Sequence, residues 1–215
     1  MQSIVGFKHV TNRQGVQLAQ LARESRVSRE DFKNFLDNET SVKSFLSSLS
    51  SDGWIKKLEA SAAKIGGRIY IIELSIDYAK PHNDAAMAGG PQTGSDYNVL
   101  KVGDLYQPEN KKITETVILF NWPNGGGSYQ KAVEWGLENG PRKTTPHVSF
   151  AVGEKFPKLN YDLGPNPMYV VETTGCSFLG GAYACCVYWD VAERDSCLRW
   201  QDYFGDDSDW FAFRK

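Results

Sequence analysis

The chain has 215 residues, of which 41% are hydrophobic and 23% are charged, so it is long and apolar enough to build a buried core. Its 24 basic and 26 acidic residues give a net charge of −2, which argues against a protein whose main task is to hold nucleic acid by its phosphates. A local basic patch, and with it a nucleic-acid partner, is not excluded. No apolar run approaches the roughly 20 residues that a membrane-spanning helix needs, so we expect a single domain over residues 1–215 without a membrane span.

The first third of the chain is predicted to be mainly helical. A short strand is expected at 4–10, and the apolar spacing over 16–23 indicates a helix. Ser28 precedes two acidic residues, a pattern typical of a helix N-terminus because the hydroxyl can accept from a free backbone N–H. A further helix is predicted over 52–65, and Gly66 ends it because glycine readily adopts the left-handed conformation found after helices.

The remainder of the chain is predicted to be rich in strands. The run from Arg68 to Ile76 is the clearest strand and is expected to lie centrally in a sheet. A short amphipathic helix is expected at 130–137, and the aromatic residues of the acidic segment 190–215 are expected to pack that segment against the core. Further strands are predicted at 115–121, 147–152, 168–173 and 184–191.

Two segments without strand or helix periodicity are interpreted as loops. Residues 81–97 are rich in Pro, His, Asn, Gly and Ser and are predicted to form a long exposed loop, of a kind that often covers a binding site. The run Gly125-Gly126-Gly127-Ser128 is similar to a phosphate-binding loop, but no Lys-Ser/Thr follows it. We interpret it as a turn outside any strand-to-helix context.

The order of these elements predicts the fold class. Helices are expected to cluster in the N-terminal third and strands to follow, which favours an α+β domain with a bent or split mixed β-sheet.

All four cysteines lie within 22 residues, at Cys176, Cys185, Cys186 and Cys197. Their spacing contains no C-x-x-C pair, which disfavours a zinc site. On a strand Cys185 and Cys186 would point to opposite faces, so they would bridge to different partners. We therefore expect two disulfides and a secreted protein, with four buried thiols as the alternative.

Three separated segments resemble the ADP-ribosyltransferase toxins of the cholera, pertussis and diphtheria kind. His9 lies on the first predicted strand, and Ser47-Ser48 precede a helix that leads into the strand containing Tyr70. Glu115 follows in Thr114-Glu115-Thr116. The resemblance covers roughly residues 4–123 and leaves 124–215 as a strand-rich, cysteine-containing C-terminal part. Ile113 stands where the family has the first Glu of a Glu-x-Glu pair, and His9 stands where many members have Arg.

The resemblance implies an NAD-dependent toxin or effector that transfers ADP-ribose to a macromolecule, most simply a protein, or hydrolyses NAD. Glu115 would be the catalytic acid, because a carboxylate can stabilise the oxocarbenium-like ribose that forms as nicotinamide leaves. His9, Thr11 and Tyr70 would contact NAD. Ser47 and Ser48 would form the wall of the nicotinamide pocket.

Three alternatives are not excluded by the residues themselves. A hydrolase could use Cys176 as nucleophile and His147 as base, provided that the two meet in space and the thiol is free. A binding module for a sugar or a protein would use exposed tryptophans as contacts; the candidates are Trp54, Trp122, Trp135 and Trp189. A metal site formed by His82, Asp84 and Asp96 is also conceivable.

Overall fold

The structure is a computed structural model, and it describes residues 28–38, 51–92, 98–164, 167–191 and 193–215. The chain divides into two compact units, Met1–Lys57 and Leu58–Lys215. The elements predicted at 4–10 and 16–23 lie outside the described residues.

Helix α1, Arg29–Asp37, belongs to the first unit and begins where the sequence predicts. The Oγ of Ser28 accepts a hydrogen bond from the backbone N–H of Asp31 at 3.0 Å. This bond satisfies one of the N–H groups that every helix N-terminus leaves free, and the first turn also contains two acidic residues. The predicted N-cap is therefore confirmed.

The other described helices and strands follow in chain order. The helices are α2 (Ser51–Lys64), α3 (His82–Gly89), α4 (Asn98–Lys101), α5 (Tyr129–Asn139), α6 (Pro146–Lys155) and α7 (Leu159–Leu163), with short 3-10 turns at Gly103–Leu105 and Gln201–Tyr203. The strands are β1 (Arg68–Asp77), β2 (Lys112–Asn121), β3 (Arg142–Lys143), β4 (Met168–Val171), β5 (Cys176–Phe178), β6 (Gly181–Asp190), β7 (Glu193–Trp200) and β8 (Asp209–Arg214).

The eight strands form one open, mixed sheet in the order β1-β2-β8-β4-β6-β5, with β3 beside β8 and β7 beside β6. Only β4 and β8 pair in parallel, and the other pairs are antiparallel. Helical residues lie mostly in the N-terminal half of the described chain. The α+β class predicted from the sequence is therefore confirmed.

The core of the second unit lies between this sheet and helices α3 and α6. Helices α3 and α6 approach closely because glycine faces the contact from both sides: a Cβ on Gly89 would lie 2.8 Å from the Cα of Phe150, and one on Gly153 would collide with the carbonyl of Gly89. The described residues contain no helix that is long and apolar enough to cross a membrane.

Two sequence predictions in this region were wrong. Residues 147–152 form part of α6 and not a strand, because the helix is buried from Pro146 to Gly153 and its apolar residues therefore show no helical periodicity. Residues 82–89, which we predicted as part of an exposed loop, form α3, whose alanines favour helix and whose inner face is buried.

The structural context predicted for the glycine-rich run was also wrong. It joins β2 to α5, so it does have a strand-to-helix context, contrary to our prediction. Gly125 and Gly126 adopt positive φ angles of 67° and 81°, as expected of a turn. The Oγ of Ser128 caps α5 by accepting from the N–H of Lys131.

Candidate functional site

A cavity of about 490 Å³ opens where four segments of the second unit meet. These are the end of β1, the segment before β2, the start of α6 and the connection between β4 and β5. The residues that line it are Tyr78, Leu105, Tyr106, Gln107, Glu109, Thr145, His147, Thr174, Gly175, Cys176 and Ser177. The cavity thus brings together a thiol, an imidazole and two phenols from distant parts of the chain.

The connection between β4 and β5 is held by the carboxylate of Glu172, which is fully buried. This carboxylate accepts hydrogen bonds from the backbone N–H groups of Thr174, Gly175 and Cys185, at 2.6, 2.9 and 3.3 Å. Gly175 has a φ of +70°, which disfavours any residue with a side chain. Glu172 therefore fixes the tight turn from which Cys176 enters the cavity wall.

His147 lies in the first turn of α6, directly after Thr145 at the N-cap and Pro146. Its ring is buried, and its Nε2 lies 2.9 Å from the carbonyl oxygen of Lys80. A carbonyl can only accept a hydrogen bond, so Nε2 carries the proton and Nδ1 is the basic nitrogen. The rings of Tyr78 and His82 lie 5.8 and 6.5 Å from the His147 ring, centroid to centroid, and hold it in place.

Tyr106 lies between the cavity and the buried carboxylate. Its hydroxyl donates to Oε1 of Glu172 at 3.5 Å, and the residue lines the same cavity as Cys176. Burial raises the pKa of this phenol well above its usual value, so the group stays neutral. The ring stacks on His82 at 5.3 Å, which keeps the hydroxyl in position.

Burial also changes the acidity of the groups around the turn. It raises the pKa of Glu172 to about 7, even though three backbone N–H groups stabilise the charged form. Burial also raises the pKa of the Cys176 thiol. The Tyr106 hydroxyl opposes this effect on the pKa, and the nearby charge of Glu172 adds to it. A proton held on Glu172 would therefore favour the thiolate.

Glu115, the predicted catalytic acid, lies beside this cavity and does not line it. Its Oε2 accepts a hydrogen bond of 2.8 Å from the hydroxyl of Tyr78, and its Oε1 lies 3.6 Å from Nη1 of Arg214. Burial, and next the hydrogen bond to Glu115, raise the pKa of Tyr78. Tyr78 thus links Glu115 to the cavity wall.

The other residues of the predicted NAD site are not brought together by the described part of the chain. Tyr70 pairs with Leu119, four residues along β2 from Glu115. At roughly 3.3 Å per residue this places Tyr70 about 13 Å from Glu115. Its ring is 39% exposed and does not line the cavity. The remaining members of the predicted site, His9, Thr11, Ser47 and Ser48, lie outside the described residues.

The exposed tryptophans expected of a binding module are not found at three of the four positions. Trp122, Trp135 and Trp189 are buried, so this part of the prediction was wrong. Trp122 and Trp135 pack on the ring of Phe120, at 4.6 and 4.3 Å, because large aromatic rings contribute most when removed from water. Trp54 is partly exposed.

The conceivable metal site is also absent from the described residues. His82 is buried in α3 and its Nε2 lies 2.9 Å from the carbonyl oxygen of Val99, while Asp84 is exposed and Asp96 lies outside the described residues. No group of three or more potential metal-binding side chains occurs in the part of the chain that the structure describes.

All four cysteines are free thiols in the structure. Cys186 and Cys197 lie directly opposite each other on β6 and β7, while Cys185 faces the core. The two disulfides and secretion stay predictions.

The sequence analysis missed Tyr106 and Glu172. The signal for Glu172 was its position: it continues the apolar strand β4 and precedes Thr-Thr-Gly, so it marks an acid at the buried end of a strand. No feature of the neighbouring sequence marks Tyr106 as a residue of the site. Comparisons with protein-family models, with curated proteins and with solved structures find no match to this chain.

Proposed function

We propose that the protein is a thiol-dependent hydrolase or acyltransferase, with Cys176 as the nucleophile and His147 as a base. The observation that carries this proposal is that both side chains line one cavity. They come from different elements, β5 and α6, so their meeting is a product of the fold. The thiol is free and partly exposed, as a nucleophile must be.

The chemistry follows from the groups in the cavity. The sulfur attacks the acyl carbon of an ester, thioester or amide, and the bond to the leaving group breaks. The leaving group departs with the proton that the thiol has given up, and a thioester remains on Cys176. Water then attacks the thioester, Nδ1 of His147 accepts the proton of that water, and the proton returns to the sulfur as the acid is released.

We propose Thr145 as the donor to the substrate oxygen, once its side chain turns the buried hydroxyl into the cavity. Its hydroxyl has no hydrogen-bond partner among the described residues, and the residue lines the cavity beside His147. Hydrogen bonds to an oxygen that becomes negative in the transition state are among the strongest contributions to catalysis. We assign Thr145 this role.

The test is hydrolysis of p-nitrophenyl acetate and of small acyl thioesters by the purified protein. Cys176→Ala should lower the rate by at least about 10²-fold, because it removes the nucleophile. Cys197→Ala is the matched control, since it deletes a buried thiol that does not line the cavity. Hydrolysis that survives in Cys176→Ala would refute the proposal.

NAD-dependent ADP-ribosyl transfer to a macromolecular acceptor, in particular a protein, is the second candidate. It is favoured by the position of Glu115, whose carboxylate reaches the cavity wall through Tyr78. In this proposal Glu115 stabilises the ribose oxocarbenium ion, and His9, Thr11, Ser47, Ser48 and Tyr70 hold NAD. A carboxylate that is already oriented by a hydrogen bond is suited to such electrostatic stabilisation.

Nicotinamide release from NAD tests this second candidate. Glu115→Gln should lower it by about 10²-fold or more. Glu73→Gln is the matched control, because Glu73 lies on the neighbouring strand opposite Thr116 and is therefore on the other face of the sheet from Glu115. Equal nicotinamide release by the wild type and Glu115→Gln would exclude a catalytic role for Glu115.

A further inference from the structure

Cys186 of β6 and Cys197 of β7 lie directly opposite each other in the sheet. Directly opposite residues of two antiparallel strands point to the same face, so the two side chains are neighbours. The thiol of Cys186 donates to the carbonyl oxygen of Cys197, with 3.5 Å between sulfur and oxygen, and thus lies against its neighbour. Both side chains are buried free thiols. The fold therefore places two unbridged thiols side by side.

The backbone spacing at this pair suits a disulfide. The N–H and C=O groups of Arg194 both bond to Gln92, so they point away from β6. Backbone groups alternate in direction along a strand, and those of Cys197, three residues further on, therefore point towards β6 and bond to Cys186. A hydrogen-bonded antiparallel pair of this kind has its Cα atoms about 5.5 Å apart. Disulfide-bonded cysteines most often have a Cα separation of roughly 5.5–6 Å, so a bridge needs no rearrangement of the strands.

The other two cysteines, both of which are described, are not placed for a bridge. Cys185 lies on the core face of β6, opposite to the face of Cys186. Cys176 pairs with Tyr183, two residues before Cys185, so Cys176 and Cys185 are diagonal neighbours. Diagonal neighbours are roughly 7–8 Å apart, and cysteines whose Cα atoms are more than about 7 Å apart cannot be bridged unless the backbone moves. Of the possible pairs, the fold favours Cys186 with Cys197.

We propose that Cys186 and Cys197 are an oxidation site, at which a low-molecular-weight disulfide such as oxidised glutathione introduces a covalent bridge between β6 and β7. The thiolate of one cysteine attacks the small disulfide, which forms a mixed disulfide and releases one small thiol. The second cysteine then attacks the mixed disulfide and releases the other small thiol. Two protein thiols are oxidised to one disulfide and one small disulfide is reduced to two thiols, so atoms and electrons balance.

The bridge would fasten an edge strand. Among the described strands β7 pairs only with β6, apart from a single bridge of Asp195 to Pro91. β7 also holds α3, because the hydroxyl of Ser196 donates to the carbonyl oxygen of Ala86 at 2.7 Å. Because both thiols are buried in the folded protein, we expect the exchange to take place during folding, before β7 has closed over β6.

The inference does not rest on the proposed function, and it is compatible with it. Cys176 lines the cavity on another strand and takes no part in the bridge. A protein with the Cys186–Cys197 disulfide therefore keeps the free thiol that the proposed hydrolase needs. It narrows the two disulfides expected from the sequence to one bridge between two named residues.

The experiment maps the disulfide by mass spectrometry. The purified full-length protein is unfolded with a reductant and refolded in a buffer of oxidised and reduced glutathione; the remaining thiols are then blocked with iodoacetamide in denaturant. Trypsin cleaves after Arg194, so Cys197 is released in peptide 195–199 and the other three cysteines stay together in peptide 159–194. We expect the two peptides to be joined in most molecules, with the bridge at Cys186 and with two cysteines alkylated.

Fragmentation of the joined peptides assigns the bridge in the wild type, so the result does not depend on the folding of a variant. Cys186→Ala should abolish the joined peptides, and Cys185→Ala, which removes the adjacent thiol on the other face, is the matched control and should keep them. The bridged wild type should also unfold at a temperature roughly 5–10 °C higher than the reduced wild type, because the bridge restricts the unfolded chain.

Refolded protein with four alkylated cysteines would overturn the proposal, as would a bridge from Cys197 to Cys176 or to Cys185. These outcomes are separate from the fate of the proposed function, because the mapping needs no substrate. Hydrolysis that depends on Cys176 without joined peptides would leave the hydrolase standing and remove the oxidation site. Joined peptides without any hydrolysis would do the reverse.

Discussion

The buried residue Glu172 combines a structural role with a raised pKa. Its carboxylate accepts from three backbone N–H groups, and these bonds hold the turn in front of Cys176. The same burial that makes these bonds strong penalises the negative charge, which raises the pKa to about 7. The turn is therefore held by a group that titrates near neutral pH.

Glu172 makes the stability of the protein depend on pH in an unusual direction. Its pKa is higher in the folded protein than the ordinary value of 4.5, so the folded state binds the proton more tightly. The stabilisation is complete below about pH 4.5, is lost as the pH rises to about 7, and is constant above that. Between pH 5 and pH 8 we expect Glu172 to lower the free energy of unfolding by about 3 kcal/mol.

Urea denaturation of the wild type and of Glu172→Gln at pH 5 and pH 8 measures this effect. From pH 5 to pH 8, the free energy of unfolding of the wild type should fall by about 3 kcal/mol relative to that of Glu172→Gln. Glu73→Gln, which removes an exposed carboxylate, should behave as the wild type. Identical pH dependence in the wild type and Glu172→Gln would show that Glu172 does not titrate in this range.

In the β5–β6 hairpin, the residue at one turn position does not suit the backbone conformation that the turn requires. Phe178 pairs with Gly181, so the turn consists of Leu179 and Gly180, with φ angles of +48° and +80°. Two positive φ angles are typical of the tight turn whose twist matches a hairpin, and Asn-Gly is its preferred sequence. Leucine in the left-handed conformation costs roughly 1–2 kcal/mol, and this side chain is 87% exposed, so it has little packing to compensate.

Leu179→Asn should therefore stabilise the protein by about 0.5–1 kcal/mol, because asparagine tolerates positive φ. Leu179→Ala is the control, since alanine has the same backbone strain as leucine. Thermal unfolding of the two variants and the wild type gives the comparison. Equal stability of the Asn and Ala variants would mean that the turn carries no strain.

The whole second unit depends on its last strand. β8 lies inside the sheet, antiparallel to β2 and parallel to β4, so the end of the chain joins two parts of the sheet made much earlier. Trp210, Phe211 and Phe213 of β8 are fully buried. At about 2 kcal/mol for each large apolar side chain, their burial is a substantial part of the 5–15 kcal/mol that stabilises a typical domain.

Deletion of residues 209–215 should therefore prevent folding of the second unit, because it leaves β2 and β4 without their common neighbour. Loss of the near-ultraviolet circular dichroism signal and of soluble protein would be the expected result. Deletion of Lys215 alone, which lies beyond β8, should leave the fold intact. A folded protein without residues 209–215 would show that the sheet does not need β8 between β2 and β4.

The sequence was sufficient to predict those features that depend only on neighbouring residues. The cap at Ser28, the strand β1 and the glycine after α2 were predicted because each depends on neighbours within a few residues. The central position predicted for β1 was wrong, since β1 lies at an edge of the sheet. The strand predicted at 147–152 was wrong, because burial on all sides removes the periodicity that separates helix from strand.

The amino-acid sequence alone therefore determined the α+β class, four of the eight described strands, namely β1, β2, β4 and β6, and a set of candidate residues without their spatial relation. Only the tertiary structure decided that Cys176 and His147 share a cavity, that Tyr106 donates to Glu172, and that Glu115 lies beside that cavity. The physical reason is that helices and strands form through contacts along the chain, whereas a site is made by contacts between residues that are distant in sequence. Burial, which sets the pKa of Glu172, is likewise a property of those distant contacts.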